Sequence, residues 1–223
     1  MQEFKPALNA QKAHWERMLA ERREMFGEAP SEAARKAAET FMREGIRNVL
    51  ELGAGQGRDT LFFARGGFSV VALDYAASGL RSIRQKSQSL SLSVDVLCHD
   101  VRNALPFRDE SLDACYSHML YCMALTLQQL EALSAEVRRV LRPGGLEIYT
   151  VRNTADADCG KGLHLGEDLY EVGGFVVQFF DRNKVLYLAR DWELLAMDQL
   201  TEGKLPRQLF FVTQKKPLRK HAQ

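Results

Sequence analysis

No CxxC pair occurs among the four cysteines, Cys98, Cys115, Cys122 and Cys159, which leaves zinc-ribbon and thioredoxin-type readings without support. No apolar run approaches the roughly 20 residues that a bilayer-spanning helix needs. The opening stretch MQEFKPALNAQKAHWERM lacks the apolar centre of a secretion signal, so a soluble, cytoplasmic protein is expected. Neither sign of charge dominates: 30 Lys and Arg face 29 Asp and Glu, for a formal charge of +1. A nucleic-acid partner gripped through many phosphates is therefore not expected, nor is a membrane one. Internal repeats and low-complexity linkers are missing too. What is there is 223 residues, 46% hydrophobic and 26% charged, enough for one core and one domain. Cys98 and Cys115 lie in apolar runs and read as small buried hydrophobes.

The pattern along the chain changes once. Residues 7–26 read as a helix with Trp15, Met18 and Leu19 on one face. Ser31 can cap a second helix running to Glu44, and Gly45 can end it. Beyond it, RNVLEL, FSVVALD, LSVDVLCHD and LDACYSHML are short apolar runs interleaved with helical stretches, the alternation of a parallel sheet with crossover helices. Residues 126–142 place Leu127, Leu130, Leu133, Val137, Val140 and Leu141 on one helical face; PGG at 143–145 stops that helix and opens the strand LEIYTVR. Residues 153–174 read as a long polar, glycine-rich loop. Asp181 can cap a short helix through Arg190. WELLAMDQL and RQLFFVTQ then read as two strands joined by a turn at Glu202–Gly203, which pair antiparallel. A parallel sheet finished by one antiparallel strand is the expected architecture.

VLELGAGQGRDT, Val49 to Thr60, is the most informative stretch. A strand, a glycine turn and a helix start let a ligand approach the backbone and meet free N–H groups. No GKS or GKT follows, so it is not a P-loop. Gly53, Gly55 and Gly57 give GxGxG; the dinucleotide pattern would need glycine at position 58, which is Arg58. Glu51 ends the strand two residues before Gly53. Its charge opposes a pyrophosphate and suits an ammonium or sulfonium group. S-adenosylmethionine carries both, and its carboxylate could meet Arg58 or loop N–H groups. Asp74, at the end of the second strand, can accept ribose hydroxyls, although alone it fits NAD equally well. Asp100, ending the third strand, could accept from an adenine amino group.

These residues resemble class I S-adenosylmethionine-dependent methyltransferases over roughly 46–213. VLELGAGQGRDT is similar to their first motif, VALDYA to the second and CHDVRNALPF to the adenine-side motif. LDACYSHMLYCMAL and RRVLRPGGLEIYTVR are similar to the fourth-strand motif and the following helix and strand. GQGRDTLFFARGGFSVVALD further resembles small bacterial tellurite-resistance-type and related small-molecule methyltransferases. The resemblance implies a doubly wound, Rossmann-like α/β fold: a seven-stranded, mostly parallel sheet with one antiparallel strand near the C-terminus. It implies S-adenosylmethionine as cofactor, held by Glu51, Gly53, Gly55, Gly57, Arg58, Asp74, Tyr75, Asp100, Val101 and Ser117. Residues 1–45 become a helical lid on the same domain, with Trp15, Met25 and Phe26 as cover. A core spans 46–215 with a substrate insert at about 152–180, and 216–223 form a basic tail.

Methyl transfer from a sulfonium is an in-line displacement with a neutral leaving group, so positioning dominates and no obligatory catalytic signature is expected. After the fourth strand, Ser117-His118-Met119-Leu120-Tyr121-Cys122 offers no proline or amide to hold an exocyclic amine. Its polarizable, apolar side chains suit a small apolar, aromatic or soft-atom acceptor. Met119, Tyr121, Arg152, His164 and Tyr170 are the candidate acceptor contacts. His164, His118 and Tyr121 are the candidate catalytic groups. Cys122 and Cys159 keep a thiophilic acceptor in view. No metal site is expected. A small-molecule methyltransferase is the leading reading. One acting on RNA or protein, and a non-catalytic binder of the cofactor, are the alternatives; a dinucleotide oxidoreductase is opposed by Glu51 and Arg58.

Overall fold

The computed structural model describes residues 5–22, 25–203 and 206–219, with the side chains of 9 onward in the first segment. Two helices, α1 (Lys5–Glu21) and α2 (Glu32–Arg43), precede an alternating run. That run is β1 (Asn48–Leu52), α3 (Arg58–Arg65), β2 (Ser69–Asp74), α4 (Ala77–Ser89), β3 (Val94–Cys98), β4 (Leu112–His118), α5 (Leu127–Val140) and β5 (Leu141–Arg152). Three short strands follow: β6 (Leu163–Gly166), β7 (Leu169–Val172) and β8 (Phe175–Gln178). The described chain closes with α6 (Arg182–Leu188), β9 (Glu193–Glu202) and β10 (Arg207–Lys215).

Seven strands form one sheet in the order β3-β2-β1-β4-β5-β10-β9. β1 to β5 run parallel, and β10 lies antiparallel to both β5 and β9. The expected sheet, with its single antiparallel strand, is the observed one. Both faces are covered, so the central strands are apolar almost throughout. On one face, Leu130, Leu133 and Val137 of α5 pack on Leu50, Leu52, Cys115 and Tyr149. On the other, Ala33, Ala34, Ala37 and Phe41 of α2 join Phe63 over Val49, Ala114, Tyr116 and Ile148. The alanines let α2 approach the strands closely.

Local signals set the helix ends. Ser31 caps α2, its hydroxyl accepting from Ala34 N–H at 2.9 Å. Thr126 and Gln129 form a reciprocal capping box on α5. Asp181 caps α6, accepting from Lys184 N–H. Three boundaries differ from expectation. α1 stops at Glu21 rather than 26. α5 ends at Val140, before PGG, because Leu141 already pairs with Leu112 of β4. α6 ends at Leu188, two residues short of Arg190.

The largest correction concerns residues 153–174. Instead of a loop they supply most of an antiparallel sheet, β6-β7-β8, with Leu165, Leu169 and Val176 as its apolar seam. β7 and β8 are joined by Gly173 and Gly174, at φ 59° and 86°, with Val172 paired to Phe175. Two successive positive φ values are what a two-residue type I′ hairpin demands. Cys98 is also corrected: it is exposed at the end of β3, an outermost strand, whereas Cys115 is buried as expected. Of the basic tail, Lys216 and Arg219 both bind Glu110; residues 220–223 lie outside the described residues. Among the described residues no helix is long and apolar enough to cross a membrane.

Candidate active site

β1 delivers Glu51 to the carboxyl edge of the sheet. The chain then turns through Gly53, Gly55 and Gly57, at φ 74°, 55° and 86°, into the first turn of α3. A Cβ at Gly57 would lie 2.5 Å from Ile83 Cγ1, so α4 packs directly behind the turn. A Cβ at Gly55 would meet nothing nearer than the Phe26 ring at 3.9 Å. Gly55 is therefore the open wall of the turn. Its N–H donates to Asp74 Oδ2 at 2.9 Å, and Gly53 and Ala54 N–H donate to Leu73 O, so the turn is braced on the end of β2.

Three acids gather here in different states. Glu51 is buried, and its carboxyl is pushed up to about 8 by burial and then by the nearby charge of Asp59. Its one close partner is Thr60, whose hydroxyl donates to Oε2 at 2.5 Å. Burial also pushes Asp74 up, although Ala76 and Gly55 N–H groups hold its charged form. Tyr75 lies between the charges of Asp74 and Asp100, and its hydroxyl is held above its ordinary value by burial and those charges. Ser117, paired in register with Leu52, is wholly buried, and among the described residues its hydroxyl has no hydrogen-bond partner. A buried carboxyl that a nearby cation would ionise, a glycine turn open at Gly55 and an orphan hydroxyl fit a ligand that is cationic at one end and polar along its length.

Two expected cofactor contacts are already engaged. Asp100 lies two residues past the end of β3, and both its oxygens accept from Arg102, at 2.6–3.1 Å. Burial raises its carboxyl, but the Arg102 bonds outweigh burial and leave it below the usual range. Val101 follows at the same turn, packed against the core. Arg58 is paired within the protein: its Nε bonds Asp59 at 3.1 Å and its Nη2 lies 3.8 Å from Glu202. Asp59 in turn accepts from Ser31 N–H, Ser31 Oγ and Tyr116 OH. Arg58 thus belongs to a buried network joining α2, α3 and β4.

The acceptor-side expectations need more correction. Tyr121 is buried, stacked on Tyr149 at 4.7 Å, with its hydroxyl donating to Glu147 at 2.5 Å; it faces the core. Arg152 is buried too, tied to Asp156 at 2.5 Å and Asp158 at 2.7 Å, over the Phe179 ring. It is a structural ion-pair centre. His118 sits at the end of β4, but Nδ1 contacts Thr150 Oγ1 at 2.9 Å and Nε2 faces Glu202 at 3.8 Å. Burial lowers it to about 4, so it is neutral with both nitrogens turned to protein groups. His164 is exposed on β6, its Nε2 at 2.9 Å from Glu167 O and its ring against Tyr170 at 4.9 Å. β6 is the outer strand of the small sheet, two strands from the β8 side that meets α1. Met119 is the exception. It stands at the end of β4 with φ 62°, held there by its N–H to Thr150 Oγ1 and O. A strained non-glycine backbone fixed by a neighbouring strand marks a place where position matters.

Several positioning residues carry no local signature. Gln56 ties the glycine turn to the end of the first helix: its amide donates to Leu19 O and Arg22 O and accepts from Met25 N–H. Glu16 accepts from Ser78 N–H at 3.1 Å, supplying the cap that α4 lacks. Gln11 bonds both Gly174 O and Val176 N–H, pinning α1 to β8. Gln178 donates its amide to Tyr121, Met123 and Leu125 carbonyls, fixing the segment after β4. Each is a long amide or acid whose partner lies far away in sequence.

Sheet order, glycine turn and an acid at the end of the second strand define the class I S-adenosylmethionine-dependent methyltransferase fold. The described chain has that fold. Residues 49–145 match the methyltransferase domain family model. The chain is 27% identical over 192 residues to Hemagglutinin 1 of Eikenella corrodens, covering 79% of this chain and 58% of that protein. It is 30% identical over 128 residues to malonyl-[acyl-carrier protein] O-methyltransferase of Yersinia pestis, 56% of this chain and 42% of that one. The chain thus spans less than two thirds of the length of these curated relatives. Among solved structures it resembles 1,6-didemethyltoxoflavin-N1-methyltransferase of Burkholderia thailandensis, solved with 1,6-didemethyltoxoflavin and S-adenosylhomocysteine bound. The TM-score is 0.74 at 18% identity, covering 97% of this chain and 90% of that one.

Proposed function

We propose that this protein transfers the methyl group of S-adenosylmethionine to a small-molecule acceptor. The observation that carries the reading is the open wall at Gly55, braced on Asp74, at the strand ends that also carry Glu51 and the orphan hydroxyl of Ser117. When bound, S-adenosylmethionine supplies an electrophilic methyl on a sulfonium. Asp74 has acceptor capacity beyond its two backbone bonds and would take the ribose hydroxyls. Glu51 would ionise toward the ammonium, a cation offsetting the burial that now keeps its proton. Gly55 and its neighbours would admit the ligand's backbone-facing edge, and Ser117 would gain a partner. Asp100 would exchange one Arg102 bond for the adenine amino group, with Val101 and Tyr75 packing beside it. The α1 tethers keep water from the reacting atoms, and Met119 and Leu120 form the acceptor-side floor.

The small-molecule preference rests on the near-neutral chain and on small-molecule methyltransferases among the structural neighbours. Titration of the protein with S-adenosylmethionine and with NADH tests the cofactor. Asp74→Ala should weaken S-adenosylmethionine by roughly 1.5–3 kcal/mol, the range for hydrogen bonds to a charged group. An unchanged affinity in a folded variant would remove Asp74 from the site. Labelled methyl incorporation into small-molecule, RNA and protein fractions of a cell extract identifies the acceptor class.

A further inference from the structure

Between the glycine turn and the small sheet, four rings stand in a row. Phe26 is the atom group nearest the open wall at Gly55, at 3.9 Å. Trp15 lies 6.4 Å from Phe26 and 4.8 Å from Phe175 of β8, and His14 meets Phe175 edge-on at 4.5 Å. The row stands apart from the core clusters of the sheet. Phe26 is 44% exposed and the other three rings are half-buried, so the row is an aromatic surface left partly in water. His14 Nε2 is buried and has no hydrogen-bond partner among the described residues.

The row is also held in place. Gln11 and Glu16 fix α1 on either side of His14 and Trp15, to β8 and to α4. Gln56 fixes the end of that helix and Met25, beside Phe26, to the turn itself. Below, Leu120 packs against the same turn, 3.1 Å from where a Gly53 Cβ would be, next to the strained Met119. Aromatic rings contribute most to binding when the partner offers a flat π-face, beyond what area alone supplies. An orphan ring nitrogen adds a directional polar contact.

We propose that this row is the acceptor-binding face and that the acceptor is a planar aromatic or heteroaromatic small molecule, with a polar group for His14 Nε2. The proposal rests on the methyl-transfer reading and narrows its substrate class. The rings select flatness, and His14 selects a hydrogen-bonding edge.

The test uses the full chain saturated with S-adenosylhomocysteine and titrated calorimetrically with 6-hydroxyquinoline, octanoate and ethanolamine. The flat probe should bind at least tenfold more tightly than the two aliphatic ones. Trp15→Leu and Phe175→Leu should each weaken it about tenfold, and His14→Ala about fivefold, with S-adenosylhomocysteine affinity preserved as the check on folding. Equal binding of octanoate or ethanolamine overturns the proposal, as does unchanged 6-hydroxyquinoline binding in the leucine variants. If the wild type fails to bind S-adenosylhomocysteine, the methyl-transfer reading itself falls, and this proposal with it. If it binds S-adenosylhomocysteine but discriminates no flat probe, only the aromatic acceptor is lost.

Discussion

Replacing Glu51 with glutamine should make the ligand-free protein more stable at alkaline pH and a poorer binder of S-adenosylmethionine. In the fold its carboxyl titrates at about 8, against an ordinary 4.5. Folded molecules therefore keep a proton that unfolded ones release between those values. The stability this group contributes is whole below about pH 4.5 and is lost as pH rises through about 8. At 1.36 kcal/mol per pH unit the ceiling on that loss is on the order of 4–5 kcal/mol. Glutamine never ionises, and its carbonyl can still accept from Thr60. Its buried amide N–H2 gives back roughly 1–3 kcal/mol if it stays unpaired. A net gain of about 2 kcal/mol at pH 8.5 corresponds to roughly 4–8 °C in Tm for a chain of this size. Calorimetric scans at pH 5 and pH 8.5 measure it: the glutamine variant should be the less stable by about 1 kcal/mol at pH 5, where the amide cost dominates, and the more stable at pH 8.5. Added S-adenosylmethionine should reverse the order at pH 8.5, because only the carboxylate pairs with the cation. Identical Tm differences at both pH values would refute the buried, proton-holding state of Glu51.

Two further substitutions separate the turn from the small sheet. Gly55→Val should abolish S-adenosylmethionine binding, because its side chain fills the open wall, at a stability cost of about 1–3 kcal/mol from the positive φ; normal titration curves would show that the ligand lies elsewhere. His164→Ala should leave cofactor affinity and kcat/KM within about threefold of wild type, since the ring is exposed on the outer strand; a loss of roughly 10² or more, the scale of an acid–base group, would restore it to the catalytic list.

The sheet was readable because its evidence is local and repeated. Each strand run is apolar, and three of the helices begin at a Ser, Thr or Asp that caps them in the structure: Ser31, Thr126 and Asp181. The glycine turn was readable for the same reason. The small sheet was missed although one of its signals was present. Gly173-Gly174 between EV and FV is a hairpin signature, but four-residue strands among polar residues do not outweigh the look of a loop. Side-chain partners were the hardest to foresee. Tyr121 and Arg152, expected at the acceptor, are bound in the structure by Glu147, Asp156 and Asp158, and nothing in residue type announces which acid an arginine or tyrosine will meet. Gln11, Gln56 and Gln178 were missed in the opposite sense: ordinary surface residues by composition, they hold elements together across 31 to 165 positions.

The tethers on α1 have a kinetic meaning. The helix is bound to β8 by Gln11, to α4 by Glu16 and to the glycine turn by Gln56. At about 1 kcal/mol of net stability per tether, releasing all three costs on the order of 3 kcal/mol. The released form then amounts to about one molecule in a hundred, and on the proposed reading a ligand entering or leaving beneath the helix would wait for it. Closure over a cofactor already in the turn shortens that wait for no one: the first ligand in becomes the last one out. On the proposed reading, with α1 as a roof over the cofactor, the tethers would impose a compulsory order on binding and move the slow step of the cycle from the reacting atoms to the release of product.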